Sequence, residues 1–348
     1  MIGKNKGLSW LVGMASVIII LTALKTAESI VVPILLAIFI SILSVPFIRL
    51  MERHSIPSWL AIILMLGIWV ALLLLFFLML SNSVQIFSNN LPKYSKGFND
   101  LLVELSPLFK YWSFPFFEPT LNKHFNSESI IQFMAEALTG VSVFLMNTFL
   151  VLFITGFLLM EENSLARKFQ AVWPNSEYKI QAITEYFKQV NKYILIKTAV
   201  SFMTGVLVTL LLMFLDVDFP YFWGVLAMLM NYIPNIGSLI SAIPPVFLAL
   251  INVGLFDAFL VMSGFIIINV VLGNLIEPRL MGFKFGLSPL VVFLSIMIWG
   301  WMFGPVGMIL SIPLTMIVQI ALFQKEDTRA IAVLLGNSVP KLRSSNEK

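Results

Sequence analysis

The sequence predicts an all-α polytopic membrane protein, with about six full transmembrane helices plus two Pro/Gly-broken segments read as re-entrant hairpins in an inverted repeat. Three observations predict it. The chain is 59% hydrophobic and 11% charged over 348 residues, with a mean hydropathy of +0.94, so its solvent is mostly lipid. Apolar runs of about 20 residues recur along it, the length that crosses a hydrocarbon core of about 30 Å. Two late stretches, 221–251 and 287–323, are too long for one span, about 46 and 55 Å as unbroken helices, and each is interrupted at its middle by proline and glycine.

The first apolar run, 8–24, follows Lys4 and Lys6 and imitates a signal peptide. Lys25 stands where a small residue should precede cleavage after Ala27, so the run reads as a retained anchor. Spans follow at 30–48 and 58–80, and residues 1–81 form an N-terminal scaffold of three spans. An external region, 82–139, carries a helical pattern through Leu91, Phe98, Leu101 and Leu105 and then the aromatic run 111–119. Residues 140–197 hold a fourth span at 141–160 and a basic amphipathic arm. The arm places Ile180, Ile183, Phe187, Val190 and Ile194 at helical spacing after a cap at Asn175 or Ser176. Such an arm lies at the cytoplasmic surface or couples to a neighbour. Residues 198–323 form a C-terminal unit of span (198–215), broken segment, span (255–275), broken segment; 324–348 is a tail.

Charge sets the orientation. With both termini in the cytoplasm, Lys4, Lys6, Arg49, Arg53, the cluster Arg167, Lys168, Lys179, Lys188, Lys192 and Lys197, and the bases of the tail all lie inside. Hairpins put Arg279 and Lys284 inside and the base-free 252–257 outside, whereas kinked full spans would swap those two assignments. The charge rule favours hairpins by a few residues.

An internal repeat supports the same choice. Pro234, Gly237, Ser241 and Pro244 in the first broken segment are echoed by Pro305, Gly307, Ser311 and Pro313 in the second, each after an ordinary span. Span plus hairpin occurring twice with opposite orientation is the architecture of alternating access. A hairpin tip frees backbone groups that lipid cannot solvate, so it must face protein or a wet cavity and is a natural ligand site. Candidate solute contacts are therefore Asn231, Pro234, Asn235, Gly237 and Ser238 at the first tip, and Trp301, Gly304, Pro305 and Gly307 at the second, where Trp299 and Phe303 add flat apolar walls. The bland reading of each glycine, proline and serine is helix packing.

Glu277 is the ionisable group of greatest interest, and Asn269, Gly273 and Glu277 share one helical face. A carboxylate near the membrane interior suits a proton or cation carrier or a solute contact, with Asn269 beside it and Asn274 off that face. Its bland alternative is an ion pair with Arg279 that fixes the turn. Lys25 and Glu28 read as capping a turn, and Thr198, Ser201 and Thr204 as interhelical hydrogen-bonding residues.

The blocks NYIPNIGSLISAIPP (231–245), GNLIEPRLMG (273–282) and GLSPLVVFLSIMIWGWMFGPVGMILSIPLT (286–315) resemble the signature blocks of the autoinducer-2 exporter family of bacterial permeases. The N-terminal half resembles that family in layout only. The resemblance implies a multi-pass inner-membrane protein, a homo-oligomer (a pentamer by the family's habit), that exports a small polar solute, with sodium/proton exchange as an alternative activity and a coupling cation or proton as a possible partner. A non-transporting membrane scaffold is a further alternative, which the two matched broken segments oppose.

Other classes find no footing. Cysteine is absent, which excludes disulfides and thiolate chemistry. His54 and His124 have no carboxylate or histidine at metal spacing. No serine elbow, paired-histidine helix or phosphate loop occurs, so no catalytic residue, metal or cofactor is expected. The net charge of +4 is small and leaves no nucleic-acid footprint.

Overall fold

The structure, a computed structural model, describes residues 6–111, 148–161, 177–234, 236–281, 287–323 and 326–336. Among them, apart from an isolated bridge between Leu287 and Gly336, the regular structure is helical. The order is α1 (Lys6–Thr26), α2 (Glu28–Arg53), α3 (Ser58–Tyr111), α4 (Thr148–Glu161), α5 (Glu177–Phe214), α6 (Pro220–Met230), α7 (Ile236–Asn252) and α8 (Leu255–Asn269). A π-helical stretch (Val270–Ile276) then leads into α9 (Glu277–Met281), followed by α10 (Pro289–Ile309), α11 (Ser311–Phe323) and α12 (Glu326–Leu334). Among the described residues, five stretches are long and apolar enough to cross a membrane: Glu28–Arg53, Ser58–Phe87, Lys188–Phe214, Leu255–Met281 and Pro289–Ile309. Large apolar side chains such as Phe214, Leu255 and Phe256 point outward, as lipid requires. The chain is an all-α, multi-pass membrane protein.

Two helices outrun the spans read from the sequence. The helical pattern through Leu91 belongs to α3, which runs unbroken for 54 residues from Ser58. Loss of hydrophobicity after Leu80 marks where a helix leaves lipid, not where its backbone bonding stops. Likewise α5 joins the amphipathic arm, from Glu177 onward, to the span in one helix of 38 residues. Its Val190, Tyr193 and Ile194 are buried against Leu43, Leu287 and Ile312, so this turn is protein core rather than surface. Amphipathicity reports an apolar partner without saying whether it is lipid or protein. The start of the arm, the aromatic run 111–119 beyond Tyr111 and the beginning of the fourth span lie outside the described residues.

The first broken segment doubles back. Asp218, just before α6, and Asn252, at the end of α7, are 34 residues apart in sequence, yet the Asn252 amide donates to Asp218 Oδ2 at 2.7 Å. Tyr94, on the extension of α3, donates to the same oxygen at 3.0 Å. Burial, and then the Asp218 carboxylate, raise the Tyr94 phenol far above its usual range, so it stays protonated and donating at any physiological pH. Pro220 opens α6 in the first turn, where a missing N–H costs nothing, and Gly254 opens α8 at φ 131°, which favours glycine. Tyr94→Phe should cost about 1.5–3 kcal/mol, the scale of a hydrogen bond to a charged group, read as a lower thermal midpoint of the detergent-solubilised protein.

The second broken segment doubles back as well. Phe303 and Gly304 leave helical geometry, and Gly304 sits at φ 59°, ψ −147°, a region that is essentially glycine's own. Across that break the Trp299 indole donates to Thr315 Oγ1 at 2.9 Å, 16 residues on. In a straight helix those backbones would be about 24 Å apart. Ser288 caps α10 by accepting from Val291 N, and its own N–H bonds Leu335 O at 3.1 Å, so the start of the segment meets the chain that follows its end.

Candidate functional site

Both tips reach far from their bases. Asp218 and Asn252 hold the base of the first segment near the end of α5, while its tip lies partway back along that helix, near its middle. There Asn231 is buried and donates to Ser201 Oγ at 3.0 Å, and the Tyr232 hydroxyl donates to Thr198 Oγ1 at 2.7 Å. From Ser201 to Phe214 is about 20 Å of helix, most of a hydrocarbon thickness. Tyr232 also packs in a T-shaped pair with Phe39 on α2, with ring centroids 5.6 Å apart.

Directly next to Thr198 lies Lys197. Its ammonium bonds both oxygens of Glu277, at 3.0 and 2.9 Å, with the two side chains only 6% and 15% exposed. The pair ties the beginning of one span to the end of another, which requires the two to run antiparallel. The π-helical turn before Glu277, whose N–H reaches back to Leu272 O, widens the helix just where the carboxylate leaves it.

This revises two expectations. Glu277 pairs with Lys197, not with Arg279, which is exposed. Lys197, grouped by the sequence with the cytoplasmic bases, is buried. Sequence reading missed it because it ends a run of bases; the signal was its place at the last step before an apolar span, where only a partner makes a lysine tolerable.

The other candidates divide. Pro234 and Ser238 are half-buried at the first tip, and Ser238 lends its carbonyl to the buried Ser241 hydroxyl at 2.9 Å. Gly237 is buried and lies so close to the Met230 carbonyl that a Cβ there would overlap it. Gly307 stands in the same relation to the Trp299 carbonyl. Trp301 is 60% exposed and Pro305 also faces outward, so Trp299, stacked on Phe303 at 5.8 Å, supplies the inward wall instead. Asn269 covers Gly273, where an added Cβ would sit 3.2 Å from its Oδ1, whereas Asn274 is exposed. Asn235 lies outside the described residues. Thr198 and Ser201 make interhelical bonds, and Thr204 bonds Val200 O within its own helix.

The signature blocks thus fall on the two tips and the Glu277 turn, and the family comparison decides what they belong to. The sequence model of the AI-2E family transporter matches residues 14–326. The chain belongs to the AI-2E transporter family. It is 38% identical to the AI-2 transport protein TqsA of Escherichia coli K12 over 95% of this chain and 96% of that protein. It is 39% identical to a putative transport protein of Haemophilus influenzae over 94% and 96%, and 34% identical to the putative transport protein YhhT of Escherichia coli K12 over 97% of each. As a member of the AI-2E family, the protein is a membrane transporter rather than an enzyme, and the match covers scaffold and broken segments alike.

Proposed function

We propose that the protein is a secondary transporter that exports a small polar solute resembling autoinducer-2 across the bacterial inner membrane by alternating access, with residues 198–323 as the working unit. The observation that carries this reading is the pair of doubled-back segments, one joined at its base by Asn252 and Asp218 and the other bridged by Trp299 and Thr315. Their likeness extends to detail: Gly237 and Gly307 each abut a carbonyl of the preceding arm, and the buried Ser241 and Ser311 each donate to the carbonyl three residues before. Two re-entrant hairpins in an inverted repeat account for these matches, because inversion reproduces each local contact on the opposite side of the membrane. With the N-terminus in the cytoplasm, the first tip descends from outside to Lys197–Glu277 and the second rises from inside.

The solute would meet the first tip where Asn231, Tyr232, Thr198 and Ser201 gather hydrogen-bonding groups, beside a charged pair. A polyol can exchange hydrogen bonds with such groups one for one, so passage need not strand any of them unpaired. Asn231→Leu leaves Ser201 without its donor and should slow efflux of an autoinducer-2-like polyol from proteoliposomes about tenfold or more, the scale set by one buried polar group left unpaired. Wild-type protein that passes neither such polyols nor cations, with or without a proton gradient, would remove the reading.

Sodium/proton exchange is the second reading, favoured by a carboxylate and an ammonium paired within spans. Its mark is cation flux driven by a pH gradient that disappears in Glu277→Gln; polyol flux without any cation flux rejects it.

A further inference from the structure

The tip of the second segment has a charged neighbour of its own. Lys25 and Glu28, at the junction of α1 and α2, form an ion pair at 2.7 Å. A Cβ placed on Gly304 would lie 3.9 Å from Glu28 Oε1. Along α2, Leu43 packs with Leu287 and Ile312 near the base of the second segment, while Glu28, about 22 Å further up that helix, meets its tip. The first tip reaches α2 at Phe39 and α5 beside Lys197. Each broken segment therefore ends next to one acid–base pair, and the two tips meet α2 about 16 Å apart along its axis, at Phe39 and at Glu28.

We infer that Lys25 and Glu28 are the second gate: an ion pair that closes on the tip at Gly304 and controls passage at the face opposite Lys197–Glu277. This rests on the alternating-access reading above. The two pairs differ in the way that role requires. Lys197–Glu277 is largely buried and doubly bonded, so parting it strands charge away from solvent. Lys25–Glu28 is 37% exposed on each side chain, and water can solvate its partners as they separate. The conformation seen is thus closed firmly at Lys197–Glu277 and lightly at Lys25–Glu28. Gly304, whose backbone tolerates conformations closed to other residues, is the point at which the tip can turn away from Glu28.

Charge exchange tests it. In proteoliposomes, Glu28→Lys and Lys25→Glu should each reduce polyol flux at least about tenfold, and the double exchange Lys25→Glu/Glu28→Lys should restore it, with membrane levels and thermal midpoints of all three near wild type. Because the chain has no cysteine, a single cysteine at Pro305, which is exposed, reports the tip: its labelling by a membrane-impermeant thiol reagent should rise in the single reversals and fall back in the exchange. Single reversals that keep wild-type flux and labelling overturn the gate while Asn231→Leu still slows efflux, leaving the transport reading intact. Flux lost equally in the singles and in the exchange also overturns it, since a paired gate must recover. Absence of flux in the wild type overturns both.

Discussion

Lys197→Met and Glu277→Gln should each abolish flux and lower stability, while the double variant Lys197→Met/Glu277→Leu should regain the stability and remain inactive. Burial decides both outcomes. With side-chain exposures of 6% and 15% and two short bonds, neither charge has water to turn to when its partner is removed. Breaking such a pair typically costs about 3–5 kcal/mol, whereas replacing both members by apolar groups of similar size is often neutral. Thermal midpoints in detergent should therefore fall in each single variant and recover in the double. Flux should not recover, because an apolar plug beside Asn231 and Tyr232 offers a polar solute nothing to exchange hydrogen bonds with. The outcome separates two roles. A double variant that transports normally would make the pair a tie between two antiparallel spans and no more, and Glu277→Gln with unchanged flux would do the same.

Much of the fold is legible in the sequence, for reasons that can be named. The spans follow from apolar length, and the two breaks from Pro234, Gly237, Pro305 and Gly307, because proline and glycine act locally on the backbone they occupy. Glu277 stands out since an acid in an apolar run has few explanations. What cannot be read are facts set by distant partners: that Lys197, 80 residues earlier, answers Glu277, that Tyr94 reaches Asp218, and that Trp299 rather than Trp301 turns inward. Two tryptophans two apart on a helix point about 200° away from each other, and only the packing of the returning arm on Thr315 decides between them. Thr198 and Ser201 are legible as interhelical donors or acceptors, but their partner, the first tip, belongs to the tertiary fold.

Gly237→Ala and Gly307→Ala should be among the most damaging single-methyl changes in the C-terminal unit. At each position a Cβ would overlap a carbonyl oxygen of the preceding arm, Met230 for Gly237 and Trp299 for Gly307, with the side chains of Ile233 and Phe303 also close. Backbone cannot rotate aside as a flexible side chain can, so the arms must separate and the tip must move with them. Overpacking of this kind costs about 1–3 kcal/mol and sometimes more. Here the displaced arms also carry Asn231 off Ser201 in one case and Trp299 off Thr315 in the other, each breaking a hydrogen bond that contributes about 1 kcal/mol. Gly13 and Gly67 are the controls, since a Cβ at either meets nothing within 4 Å. Alanine there should be neutral or slightly stabilising, by up to about 1 kcal/mol of helix propensity. The measurement is thermal midpoint and folded yield for all four variants, followed by flux for those that fold. If Gly237→Ala and Gly307→Ala match the controls, the arms do not pack as closely as the repeat requires. If the two tip variants fold but lose flux together, the glycines set the position of the tips, and the matched contacts on the two segments do the same work at the two faces of the membrane.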